Sequence, residues 1–275
     1  MQSIPGFWDI GPHDPIPVEL TWQEFVRRVG GNVVSDLVRE PRSFENADFL
    51  FPEARVVAEL KEIKTEFASS DAFNHGFDRL MHRLMAEDPG WKPLLFGGSG
   101  NNPKWFNREF VRLSRPSVSR ILKKANRQLR ETKEHFGIQS ATGVILMVND
   151  GFTGIGPDMV LALAANLLQH SFSSIDCLVY LTVNRYVELV GSDTPRLMWA
   201  PTYSDRAPDS LVAFIDDLGR QWFTFLEEKI GPFTLHAEPT PDSSVIRGSR
   251  SILLPDEKRL TLRSSAGPAR GRRGR

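Results

Sequence analysis

The chain has 275 residues, 40% of them hydrophobic and 25% charged, enough for a substantial core in one large domain or two small ones. Its 34 Lys and Arg balance its 34 Asp and Glu, which excludes a global basic field as a means of holding nucleic acid and leaves that work to local charge. A single cysteine, Cys177 inside the apolar run 175–183, excludes an internal disulfide and fits a reducing compartment. No apolar run approaches the roughly 18–20 residues of a membrane span. The opening MQSIPGFWDIGPHDP lacks the basic start and apolar stretch of a secretory signal. The expectation is a cytoplasmic protein with no membrane association.

Residues 1–18, rich in Pro and Gly, are expected to form an irregular arm. Thr21 is a candidate helix cap with Glu24 completing a capping box. Phe25, Val29, Val33 and Leu37 carry partial helical periodicity up to Arg39, interrupted by Gly30-Gly31. The stretch 46–64, NADFLFPEARVVAELKEIK, reads as a β-hairpin, with Pro52-Glu53-Ala54-Arg55 as the break between two β-prone runs. Closing the turn with Phe51 opposite Val56 places Leu50 opposite Val57, Phe49 opposite Ala58, and Asp48 opposite Glu59. Alternation then puts Val57, Glu59 and Lys61 on one face. Two opposed carboxylates repel. A divalent cation such as Mg²⁺, which takes one or two carboxylates plus water and substrate phosphate, would offset that repulsion.

Beyond the hairpin, 65–86 is helical in pattern, with Phe73, Phe77, Leu80, Met81 and Leu84 on one face. His75 and His82 are seven apart and do not match a two-histidine metal pair. Residues 88–107 read as a loop around Gly97-Gly98-Ser99-Gly100, with Trp91 and Trp105 either as anchors or as part of a mobile flap that stacks on bases. Residues 115–137 form the strongest helix. Its apolar stripe runs through Val118, Ile121, Leu122, Ala125, Leu129 and Phe136. The opposite side is basic, with Arg120, Lys123, Arg127, Arg130 and Lys133, a side suited either to phosphate or simply to water. Runs 143–148 (GVILMV) and 175–183 (IDCLVYLTV) read as buried strands around a helix opened by Pro157, so a right-handed crossover and a parallel pair are expected. Asn149 and Asp150 stand where a strand's C-terminal end could contribute to a site. Residues 198–209 read as loop. Asp209 would cap a helix over 210–230, 245–254 would form a last strand, and SSAGPARGRRGR would be disordered.

The hairpin with Asp48, Glu59 and Lys61 resembles the active-site hairpin of the PD-(D/E)XK nuclease superfamily, the restriction-endonuclease-like fold. Ala47 stands where that family has its Pro. The order of helix, hairpin, strand, helix and strand over about 21–183 is the second part of the resemblance. It implies an α/β fold with a central mixed sheet flanked by helices and a C-terminal helical or irregular extension. The domains expected are an arm over 1–18, a nuclease-like domain over 19–190 with a loop insertion near 88–107, an extension over 191–263 packed on it, and a basic tail over 264–275. It further implies that Asp48 and Glu59, with the Leu60 carbonyl, hold Mg²⁺ or Mn²⁺, and that Lys61 orients water and steadies charge on phosphate. An upstream helix would supply a further acid, for which Glu24, Asp36 and Glu40 are candidates. The helix behind the site would offer Gln128 or Lys124, and Arg120, Lys123 and Arg127 would contact nucleic acid. The implied activity is metal-dependent hydrolysis of nucleic-acid phosphodiester bonds, DNA before RNA. Many nucleases of this fold are dimers, so a homodimer is among the expected assemblies. The alternatives are an inactive nuclease-like fold that binds nucleic acid or protein, and an interaction protein with no nucleic-acid link.

Overall fold

A computed structural model describes residues 15–38, 44–63, 70–92, 102–149, 157–189, 197–233 and 246–251. Two helices, α1 (Val18–Arg28) and α2 (Val34–Leu37), flank the short strand β1 (Asn32–Val33). The hairpin strands β2 (Phe49–Phe51) and β3 (Val56–Ile63) follow, then helices α3 (Asp71–Glu87) and α4 (Lys104–His135). Strand β4 (Thr142–Asn149), helix α5 (Pro157–Ser171) and strands β5 (Cys177–Leu181), β6 (Arg185–Leu189) and β7 (Trp199–Tyr203) lead to helix α6 (Asp209–Ile230) and strand β8 (Ile246–Ser251). The main sheet has six strands in the order β1-β2-β3-β4-β5-β7, and β6 pairs with β8 in a separate two-stranded sheet. In the main sheet β3, β4 and β5 run parallel, and the β1, β2 and β7 pairings are antiparallel. The architecture is therefore an α/β fold with an open mixed sheet flanked by helices. Among the described residues no helix is long and apolar enough to cross a membrane.

The sheet separates two apolar cores. On one side Trp22, Phe25 and Val26 of α1 and Leu218, Trp222 and Leu226 of α6 meet Phe49, Ala58, Leu146 and Val179. On the other, Leu122, Ala125 and Leu129 of α4 and Ala164 and Leu168 of α5 meet Val57, Ile145, Leu178 and Tyr180. Both faces of β4 are thus covered, which is why its sequence is a continuous apolar run. Strand alternation assigns Val57 to the α4 side and Ala58 to the α1–α6 side.

Several expectations are corrected. Helix α1 begins at Val18, with Pro17 at its N-cap, and not at Thr21. Thr21 lies inside the first turn, where its hydroxyl donates to the Pro17 carbonyl at 2.7 Å, so no capping box forms with Glu24. Helix α1 ends because Gly30 takes φ +80°, and a Cβ at Gly31 would stand 2.7 Å from Val26. The loop expected over 88–107 gives way to helix from Lys104, and α4 runs on through Pro116. The 198–209 loop contains β7, which extends the sheet beside β5. The glycine run at 97–100, Asp150 and Glu40 lie outside the described residues, as do most of the N-terminal arm and the C-terminal tail.

Candidate active site

The hairpin closes in the register read from its sequence, with Phe51 opposite Val56, Leu50 opposite Val57 and Phe49 opposite Ala58. Arg55 takes φ +54° to complete the turn, and its amide donates to the Pro52 carbonyl at 3.1 Å. Strand pairing stops at Phe49, one residue short of Asp48. There the Asp48 side chain takes over: its Oδ2 accepts the Leu60 amide at 2.8 Å. The Asp48 backbone carbonyl meanwhile accepts from Val34. Asp48 is thereby fixed beside Glu59 by the backbone of β3 on one side and of the first residue of α2 on the other.

Helix α4 clamps the segment leading into Asp48. The Thr132 hydroxyl accepts the Ala47 amide at 2.7 Å, Glu131 accepts the Glu45 amide at 2.9 Å, and Gln128 Nε2 donates to the Asn46 carbonyl at 3.0 Å. The other end of the Gln128 amide accepts from Lys61 Nζ at 2.8 Å. Lys61 Nζ also donates to Glu59 Oε1. Glu59, Lys61 and Gln128 therefore form one chain of contacts on the α4 side of the sheet, anchored to the backbone before Asp48.

The electrostatics of the pair follow from burial. Glu59 is 1% exposed; besides accepting from Lys61, its carboxyl shares a hydrogen bond with that of Asp48. Desolvation, with the Asp48 carboxylate beside it, pushes its carboxyl up to about 8 against the pull of Lys61. Desolvation also raises Asp48, opposed by the Leu60 amide and by Lys61. The two acids cannot both be cheaply ionised here without further positive charge.

The remaining expected residues fall in different places. Glu24 is committed elsewhere, in an exposed ion pair with Lys229 of α6 at 2.6 Å, and Asp36 pairs with Arg27 at 2.7 Å. Lys124 is exposed on α4 and, unlike Gln128, makes no hydrogen bond to the site among the described residues. Arg127 pairs with Glu45 at 2.5 Å, whereas Arg120 and Lys123 are exposed with no ion-pair partner among the described residues. Asn149 is buried and donates to the Tyr180 hydroxyl at 2.6 Å. Among the described residues no group of three or more His, Cys, Asp and Glu side chains could hold a metal.

Two acids near the site escaped the sequence reading. Glu19, in the first turn of α1, is close enough for its charge to add to the elevation of Asp48. The signal for it was Pro17 opening a helix with an acid in its first turn. Glu45 lies among cations: its hydrogen bond from Arg127, with Lys124 and Lys61 nearby, lowers its carboxyl below the usual range. Compared with protein-family models, with curated proteins and with solved structures, the chain matches none.

Proposed function

We propose that this chain is a divalent-metal-dependent nuclease that hydrolyses phosphodiester bonds, in DNA before RNA, on a restriction-endonuclease-like core. The observation that carries the reading is the pairing of the half-buried Asp48 carboxyl with the buried Glu59 carboxyl, in hydrogen-bond contact with each other, with Lys61 hydrogen-bonded to Glu59. With β1 and α2 before the hairpin and α3 and α4 after it, the elements α1, β2–β3, β4, α5 and β5 still occur in the order that the resemblance implies, which supports the same reading.

The donor set fits a hard cation. Two carboxylates suffice for Mg²⁺, which usually keeps several waters and shares its shell with substrate phosphate. Asp48 and Glu59 would hold it, with the Leu60 carbonyl as the further ligand the resemblance implies. When bound, such a cation supplies a water nucleophile at neutral pH and polarises the phosphodiester. Lys61 holds its ammonium beside the acids, where it orients water and steadies negative charge developing on the phosphate. Gln128 is a positioning residue: its amide bridges Lys61 to the Asn46 carbonyl and keeps the ammonium from swinging away. The exposed Arg120, Lys123 and Lys124 on α4 hold backbone phosphate by charge.

The test is cleavage of plasmid, single-stranded DNA and RNA with Mg²⁺ or Mn²⁺, with and without chelator. Metal-dependent cutting lost in both Asp48→Ala and Lys61→Ala is the expected result. Cutting that survives in Lys61→Ala, or no heat of Mg²⁺ or Mn²⁺ binding in calorimetry, refutes the reading. One observation favours a second reading, binding without cutting: among the described residues no group of three or more His, Cys, Asp and Glu side chains is placed to hold a metal. Salt-sensitive DNA binding with no cleavage of any substrate would select it.

A further inference from the structure

The segment that leads into Asp48 carries an acid of its own into a group of cations. Glu45 stands three residues before Asp48, so their Cα atoms are at most about 11 Å apart. The Glu45 amide is held by Glu131 at 2.9 Å, and the next two residues are held by Gln128 and Thr132. With its backbone fixed in this way, the Glu45 side chain meets Arg127 at 2.5 Å. That hydrogen bond, and then the charges of Lys124 and Lys61, lower its carboxyl below the usual range. Lys61 belongs to the hairpin site. It is tied to the residue beside Arg127 through Gln128 Oε1 at 2.8 Å.

The fold does not need the charge of this pair. The Glu45 and Arg127 side chains are 44% and 50% exposed, and ion pairs so open to water contribute little to stability. The 45–47 segment is anchored through its backbone instead. Around the pair, Arg120, Lys123 and Lys124 are exposed on α4 with no ion-pair partner among the described residues. Arg120 and Arg127 are seven residues apart, about two turns and about 10 Å along the helix. At the rise of about 3.4 Å per nucleotide that length spans about three phosphates, so the patch suits a run of phosphates better than a lone anion. Among the described residues no large apolar side chain of α4 is exposed, which disfavours a lipid surface as its partner.

We propose that Arg127, Lys124 and Lys61 form a phosphate subsite beside the Asp48–Glu59 pair, and that the Glu45 carboxylate holds it as an internal counter-ion until the backbone of duplex DNA displaces it. A guanidinium receives carboxylate and phosphate with the same donors. The exchange keeps Arg127 neutralised throughout and releases Glu45 to water. Glu45 therefore competes with the substrate and weakens its binding. A lone phosphate gains little against a carboxylate already in place, whereas a polymer that also engages Arg120 and Lys123 prevails. That the bound strand is then cut rests on the nuclease reading above; the subsite itself does not.

The test measures binding in chelator, where no metal supports cutting. Fluorescence anisotropy of a labelled 20-bp DNA duplex is followed over a range of salt for wild type, Glu45→Gln, Arg127→Gln and the double variant. Gln matches Glu45 in size and leaves the backbone bond to Glu131 in place. Glu45→Gln should tighten binding about fivefold at low salt, a gain that fades as salt screens the pair. Arg127→Gln should weaken binding and reduce the slope of log K against log salt by about 0.9, the share of one phosphate contact. In the Arg127→Gln background, Glu45→Gln should gain less than about twofold, because no ion pair remains to be displaced. An equal gain in both backgrounds would mean that Glu45 acts only as general negative charge, and it overturns the proposal. So does the absence of any gain, or a wild type that does not bind the duplex. Coupled binding with no cleavage under any metal removes the nuclease reading and leaves the subsite standing. Metal-dependent cleavage with no coupling between Glu45 and Arg127 does the reverse.

Discussion

Replacing Glu59 by Gln will flatten the pH dependence of this protein's stability. The Glu59 carboxyl, 1% exposed, is pushed from its ordinary value near 4.5 up to about 8 by burial and by the adjacent Asp48 carboxylate. A carboxyl that binds its proton more tightly when folded stabilises the fold fully below its unfolded pKa. That contribution is lost as pH rises through the folded pKa, because in between the native state carries the extra proton. Each pH unit in the window from about 4.5 to 8 costs about 1.4 kcal/mol, so the ceiling for the loss is about 5 kcal/mol. Gln cannot ionise, and its Oε1 still accepts from Lys61. The assay is urea denaturation in chelator at half-unit steps from pH 5 to 9, comparing how far each protein falls, not its absolute stability. Wild type should lose several kcal/mol more than Glu59→Gln over that range. Excess Mg²⁺ at pH 8.5 should return about 2.7 kcal/mol to wild type at a hundredfold over its Kd and nothing comparable to the variant. Parallel curves for the two proteins, within about 0.5 kcal/mol, would refute the argument that burial governs this carboxyl.

Three further outcomes are expected. Gly143→Ala would set a Cβ 1.8 Å from the Ser174 carbonyl, where only backbone can give way, so stability should fall on the order of 3 kcal/mol in urea denaturation. Trp222 is fully buried and stacks on Trp22 with centroids 4.1 Å apart. Trp222→Ala should therefore cost about 3–5 kcal/mol, read by thermal melting, and diminish the near-ultraviolet circular dichroism. Gln128→Leu removes the bridge between Lys61 and the Asn46 carbonyl. Steady-state kinetics should show kcat down about 10–100-fold with KM little changed, while stability changes by only about 1–2 kcal/mol. A raised KM at constant kcat would mean that Gln128 serves binding and not the placement of Lys61.

The hairpin register was legible because everything that sets it is local: side-chain period, turn length and the break at Pro52. The buried strands β4 and β5 were legible as apolar runs for the same reason. Strand β7 was not, because WAPTY alternates poorly and contains Pro201. It lies at the edge of the sheet, paired on one side with β5, where a proline is tolerated. The first half of α4 was hidden because its apolar residues serve a different partner. Phe106 packs toward α3, whereas Val118, Leu122 and Leu129 pack toward the sheet. The stripe therefore changes direction along the helix, and a single periodic template captures only its second half.

The acids of α1 show where sequence reading of a site reaches its limit. Glu19 and Glu24 are both exposed and both carried by one amphipathic helix. Five residues separate them, which is about 140° of rotation, so they cannot serve the same side. Which of them acts on Asp48 depends on how the helix is rotated about its axis. That rotation is set by Trp22, Phe25 and Val26 packing against Phe49 and against Trp222 of α6, nearly two hundred residues along the chain. The same packing brings Lys229 of α6 to Glu24. Moving the helix start from Thr21 back to Val18 brings Glu19 inside the helix, but the choice between the two acids is made by the tertiary contact. The residues that build a strand-borne site can be read from their own segment. A helix-borne acid can be assigned only once its packing partner is known.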